Sequence, residues 1–132
     1  MASLDRHAGR ILLMDDEEAI REVIGKHLRT MGYDVAVARE GNEAIALYHE
    51  ASRAGEPFVA TILDVRVDHG MDGLDTVTHL KAIDPSCRAI AFCGGENDPV
   101  GREYRQYGFT GIMPIPYSMQ SLSETLDSII DD

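Results

Sequence analysis

Short apolar runs alternate with longer amphipathic segments along the whole chain. "RILLM" (10–14), "YDVAVA" (33–38), "FVATIL" (58–63), "RAIAFC" (88–93) and "FTGIMP" (109–114) are rich in β-branched and aliphatic residues and bounded by turn formers, which predicts five strands. Between them apolar residues recur at the spacing of one helix face. Four such stripes stand out: Ile20, Val23, Ile24, His27, Leu28 and Met31; Ala44, Leu47, Tyr48 and Ala51; Leu74, Val77 and Leu80; and Met119, Leu122, Leu126 and Ile129. A fifth helix is expected over 98–107, where Asp98 before Pro99 makes an N-cap with proline in the first turn. Its stripe of Val100, Tyr104 and Tyr107 is thin, so this helix should be loosely held.

Strict alternation of apolar strands with helices predicts a parallel sheet covered on both faces and joined by right-handed crossovers, a doubly wound α/β domain. In such a sheet the functional crevice lies at the carboxyl ends of the strands. Asp15-Asp16-Glu17-Glu18 follow the first strand, Asp64 the third, Cys93-Gly94-Gly95 the fourth and Pro114-Ile115-Pro116 the fifth. If the strands are parallel, Asp15, Asp16 and Asp64 converge. Taken singly, each acid reads as a helix cap or a turn former. Together they are costly, because two carboxylates about 4 Å apart repel by on the order of 4 kcal/mol at an effective dielectric of 20. Such a cluster takes up protons or binds a cation, and an all-oxygen ligand set points to a hard ion, Mg²⁺ or Mn²⁺.

Length and composition narrow the setting. With 132 residues, 44% of them hydrophobic, the chain suits one domain, expected over 10–130 with a tail at 1–9 and a short acidic tail at 131–132. Asp and Glu outnumber Lys and Arg by 23 to 12, and the net charge of −11 argues against direct binding to nucleic acid. There is no apolar run long enough to span a bilayer and no apolar core in "MASLDRHAGR", so a cytoplasmic protein without membrane contact is expected. Cys87 and Cys93 flank one strand and would lie roughly 20 Å apart, beyond disulfide reach, which fits reduced thiols.

The segments "RILLMDDEEAIREVIGKHLRTMGYDV", "ATILDVRV", "GMDGLDT", "NDPV" and "YGFTGIMPIPY" carry a resemblance in their order and spacing. From about residue 9 to 130 the chain resembles the receiver domain of two-component response regulators, most of all the receivers attached to hybrid sensor histidine kinases. The resemblance implies a flavodoxin-like three-layer fold, with five strands in the order 2-1-3-4-5 and five helices. It makes Asp64 the phosphoacceptor, with Mg²⁺ held by the carboxylates of Asp16 and Asp64, by Asp15 through water and by the backbone carbonyl of Arg66. It also implies a signalling module rather than an enzyme. Its partner would be a sensor histidine kinase or a histidine phosphotransfer domain donating from phosphohistidine, and the fourth helix and fifth strand would offer a surface for a weak homodimer. A cis Ile115–Pro116 bond belongs to the same resemblance.

Two positions depart from the family pattern. The Ser or Thr that ends the fourth strand is Cys93, whose S–H is a weak donor. The Lys before the last proline of the fifth-strand motif is Ile115, which carries no charge. A hydrogen bond to a charged group contributes roughly 1.5–3 kcal/mol, so loss of the ammonium should cost at least about tenfold in holding the phosphoryl group. At the switch position that is usually aromatic stands Ile112, and in "DVRVDHGMDG" Asp68 and His69 occupy places where Pro and Gly are common; a solvated loop is expected there. Two readings therefore remain open, a phosphoacceptor with weakened switching and a pseudo-receiver that acts by protein contact alone.

Other chemistries fit less well. "DDEEA" would repel the FMN phosphate that flavodoxins cradle after their first strand. A dehalogenase-type phosphatase needs a second acid two places beyond its nucleophile, where this chain has Arg66. "DVRVDHGMDGLD" has His69 where a calcium loop needs glycine and Asp75 where it needs Glu. The five histidines are scattered and show no zinc-binding spacing.

Overall fold

The computed structural model describes residues 9–94 and 98–130. Five strands and five helices alternate: β1 (Gly9–Met14), α1 (Glu18–Thr30), β2 (Tyr33–Ala38), α2 (Gly41–Arg53), β3 (Ala60–Asp64), α3 (Gly73–Ile83), β4 (Ala89–Cys93), α4 (Pro99–Arg102), β5 (Gly111–Pro114) and α5 (Met119–Ile130). All strand pairs are parallel and the order is β2-β1-β3-β4-β5. This is the doubly wound sheet that the alternation predicts, in the flavodoxin-like order that the resemblance implies. No helix among the described residues is long and apolar enough to cross a membrane.

The central strands are largely apolar because both faces of the sheet are covered, whereas the edge strand β2 carries the exposed Asp34 and Val37. Ile11, Leu13, Ile62, Ile90 and Phe92 face one layer, packed with Ile24 and Leu28 of α1 and with Leu122, Leu126 and Ile129 of α5. Their chain neighbours Leu12, Met14, Leu63, Ala91 and Cys93 face the other, against Ala44 and Tyr48 of α2, Val77 and Leu80 of α3 and Val100 of α4. Cys87 and Cys93 are both buried and form no disulfide.

Several boundaries move. β1 begins at Gly9, so the expected tail over 1–9 gives up its last residue to the sheet, while residues 1–8, 131 and 132 lie outside the described residues. β3 and β5 each begin two residues later than the apolar runs suggest. Phe58 and Phe109 are buried at the entry to these strands, where their hydrophobicity serves packing rather than the ladder; the Arg10 guanidinium lies 4.8 Å from the centre of the Phe58 ring. Val23 and Met119 sit off the buried stripes and are exposed.

The largest correction is α4, which spans four residues instead of the ten expected over 98–107. Asp98 does cap it, accepting the Val100 amide at 3.0 Å. Between Arg102 and Phe109, which re-enters the core, Tyr104 is only partly buried, Tyr107 is exposed, and the segment closes in turns ending at Gly108 with φ +104. With one buried apolar side chain, Val100, the helix has no face long enough to extend.

Candidate functional site

The register of the sheet brings the acids together. Met14 of β1 pairs with Leu63 of β3, so Asp15 and Asp64 leave adjacent parallel strands side by side. Carboxylate oxygens of Asp15, Asp16 and Asp64 all lie within 4.8 Å of one another. Asp15 is almost wholly buried, at 2% exposure, and Asp16 and Asp64 are half-buried.

Each carboxylate also organises the backbone around it. Asp15 accepts the Glu17 amide at 2.9 Å, ahead of α1, and Asp64 accepts the Arg66 amide at 3.1 Å in a tight turn. Asp16 accepts the Asp68 amide at 3.0 Å and so ties the loop after β3 to the end of β1. The capping roles open to these acids in the sequence are thus present, and the cluster exists besides.

That loop has two more anchors. Glu40, the N-cap of α2, accepts the Met71 amide at 3.1 Å, and the Met71 carbonyl accepts the Gly41 amide at 2.8 Å. Gly73 opens α3 directly beneath the acceptor strand: a Cβ there would lie 2.5 Å from the Asp64 carbonyl oxygen and 3.0 Å from the Val65 Cα. Asp68 and His69 are exposed, as a solvated loop requires, although His69 shares with Asp16, Arg39, Glu40 and Glu43 an open depression of about 270 Å³.

The electrostatics follow from this crowding. Burial pushes the Asp64 carboxyl up to about 7, helped by the charges of Asp15, Asp16 and Glu17 and opposed by the Arg66 amide. Asp15 is also raised, by burial first and then by Asp16 and Glu17, with the Glu17 amide and Arg21 opposing. The Arg21 guanidinium donates to the Asp15 backbone carbonyl at 2.8 Å.

The switch positions lie along the same edge. Cys93 is buried at the end of β4 and pairs in register with Pro114. The Ile115 amide donates to the Cys93 carbonyl at 2.8 Å, the Ile115–Pro116 bond is cis, and the Ile115 side chain is 53% exposed. Ile112, half-buried on the edge strand, packs against the α2/α3/α4 layer. Gly95 of the glycine pair after β4 lies outside the described residues.

Sequence reasoning gave Arg66 a role only through its carbonyl. In the structure its side chain forms an ion pair with Asp98, two nitrogens meeting both carboxylate oxygens, the Nη2–Oδ1 contact at 3.0 Å. Asp98 is 6% exposed and is held well below the usual carboxylate range, by Arg66 above all and then by the amides of Val100 and Gly94. The signal available in the sequence was the N-cap at Asp98; its partner stands 32 residues earlier, a pairing that no local pattern encodes.

The acidic cluster fits a small divalent cation by its donor set. An octahedral Mg²⁺ holds oxygens at about 2.0–2.1 Å, hence no more than about 4.2 Å apart across the ion, so the carboxylates need only a slight closure to take one. A carboxyl whose pKa is raised by burial and then by its neighbours' charge is also one that a cation would ionise.

Comparison with known proteins is consistent with this architecture. A family model described as response regulator receiver domain matches residues 11–127. The chain is 34% identical over 93 residues to the transcriptional regulatory protein AruR of Pseudomonas aeruginosa, covering 70% of this chain and 37% of that protein. To a response regulator receiver protein of Anaeromyxobacter sp. it is 30% identical over 110 residues, covering 83% and 44%. The chain thus spans less than half the length of these relatives. Among solved structures, the receiver domain of a sensor histidine kinase from Pseudomonas aeruginosa, with a magnesium ion coordinated in its active-site cleft, matches with a TM-score of 0.80 at 24% identity, covering 95% of this chain and all of that one. The chemotaxis protein CheY4 of Vibrio cholerae matches with a TM-score of 0.79 at 25% identity, covering 92% and 98%.

Proposed function

The chain belongs to the response regulator receiver family of two-component systems, and from that premise we propose that Asp64 accepts a phosphoryl group from the phosphohistidine of a sensor kinase or a histidine phosphotransfer domain in the cytoplasm. The family is a signalling module rather than a classical enzyme. The observation that carries the reading is the meeting of Asp15, Asp16 and Asp64 within 4.8 Å at the carboxyl edge of the sheet.

In the transfer, a carboxylate oxygen of Asp64 attacks phosphorus and forms a P–O bond. The P–N bond to the donor imidazole breaks, its electron pair leaves with the ring, and the ring nitrogen takes a proton from water. No electron is gained or lost overall. Mg²⁺, or Mn²⁺, bound at the cluster would neutralise the approaching negative charges and orient the phosphoryl oxygens. Asp16 and Asp64 would ligate it directly, Asp15 through water and Arg66 through its carbonyl. Asp64 attacks only when ionised, so its raised pKa makes the metal-free site a poor nucleophile below about pH 7.

A second reading is favoured by Cys93 and Ile115: a partner-binding module that keeps the fold and the metal without productive transfer. The face formed by the turns after α4, β5 and α5, with Tyr104, Ile112 and Thr125 around a shallow cavity of about 360 Å³, is the proposed surface for an output partner or a weak homodimer. Incubation with Mg²⁺ and a small phosphodonor, followed by intact mass, separates the readings. The first requires a phosphoryl adduct that Asp64→Asn abolishes; a parent and a variant that both stay unmodified would select the second.

A further inference from the structure

The acidic edge lacks a cation at position 115, yet guanidinium groups border it, of which Arg39 is paired with Glu43. Arg21 is engaged with the Asp15 backbone carbonyl. Arg66 follows the acceptor by two residues, its amide already on the Asp64 carboxylate, and its guanidinium feels Asp98 first and, more weakly, Asp64. The Arg66 side chain is 65% exposed, so nothing packs around it that would prevent a swing, whereas Asp98 is buried. Asp98 meanwhile holds the first turn of α4 through the Val100 amide, and α4 is the shortest helix of the fold.

We propose that Arg66 supplies the cation that Ile115 cannot, by moving its guanidinium from Asp98 to the phosphoryl group on Asp64, and that this exchange loosens the first turn of α4. The inference rests on the reading of Asp64 as phosphoacceptor. A phosphoryl group carries nearly two negative charges and three strong acceptor oxygens against the single charge of Asp98, and the guanidinium fork matches phosphate geometry. Only hydrogen bonds change in this step. Asp98, left with backbone donors alone, becomes a buried carboxylate that has lost its counter-charge, and the four-residue helix it caps has only one buried apolar side chain, Val100, to hold it. Phosphorylation is thereby reported to α4 without a hydroxyl on β4 or an ammonium on β5.

The test follows the full chain with Mg²⁺ and a small acyl phosphate, reading the adduct by intact mass and the amides of 100–108 by hydrogen exchange. Arg66→Ala is expected to gain the adduct about tenfold more slowly, or lose it about tenfold faster, than the parent, with Arg66→Lys between them. Adding Ile115→Lys to Arg66→Ala should restore most of the loss, which a merely structural role of Arg66 would not allow. Exchange over 100–108 should rise on phosphorylation of the parent and be high and unresponsive in Arg66→Ala. Labelling and exchange responses of Arg66→Ala equal to the parent's would overturn the assignment while leaving Asp64 as acceptor, and slowed labelling with an unchanged exchange response would overturn the relay to α4. A folded parent that takes no phosphoryl group overturns the acceptor reading and this inference with it.

Discussion

Burial, and then the charges of Asp15, Asp16 and Glu17, push the Asp64 carboxyl up to about 7. The sign of the consequence is fixed. A carboxyl whose folded pKa lies above its ordinary value of 3.8 contributes stability that is complete below about pH 3.8 and is lost as pH rises through about 7. The metal-free protein is therefore expected to melt at progressively lower temperature as pH climbs from 5 to 8, and Mg²⁺ should raise Tm more at pH 8 than at pH 5. A magnesium shift that does not grow with pH would contradict this. Asp64→Asn should stabilise the metal-free protein at pH 8 by about 1–4 kcal/mol, the range for one like-charge pair at 4 Å between water and a protein surface, measurable by denaturant melts with a chelator present. A further expectation concerns the two departures from the family pattern. Ile115→Lys with Cys93→Thr should raise the level or lifetime of the Asp64 adduct about tenfold or more, since each change adds a donor to a charged group; intact mass over time reads it. At this scale the acids were legible because each directly follows an apolar strand. The Arg66–Asp98 pair was not, because it joins segments that become neighbours only through the fold.

Among the elements, α3 sets the acceptor by contact rather than by bonding. Gly73 lets its first turn lie against the backbone of Asp64 and Val65, closer than any Cβ would permit. Gly73→Ala should cost about 1–3 kcal/mol as an overpacked contact and slow phosphorylation of Asp64 as well, because the atoms that must yield belong to the acceptor strand. A stability loss without change in the rate of adduct formation would show that the shift is absorbed elsewhere. The loop between β3 and α3 is held in the same region by Asp16 and Glu40, through the amides of Asp68 and Met71. Helices with a full apolar stripe, α1, α2 and α5, were read closely from the sequence because burial of that stripe is what stabilises them. The segment 98–107 was overread: its cap was correct, but a cap starts a helix without extending it, and beyond Val100 little apolar surface remained to bury.

For the molecule as a whole, the parallel order was legible because two buried faces demand strands that are largely apolar, and this demand is written most plainly in the runs of β1, β3 and β4. The strand order itself came from resemblance, since periodicity does not choose among doubly wound orders. A net charge of −11, with the carboxylates after β1 and at the end of β3 gathered at one edge, leaves the domain in need of positive charge there, which a divalent ion and Arg66 would supply. The chain has no tryptophan to report binding, so calorimetry is the direct probe. Titration of the chelator-treated protein with Mg²⁺ at pH 8 should give saturable binding of one ion, weakened about tenfold or more in Asp16→Asn and in Asp64→Asn, the scale set by losing one charged ligand interaction. A parent that binds no magnesium, or variants that bind it as tightly as the parent, would contradict the claim that these acids form one cation site.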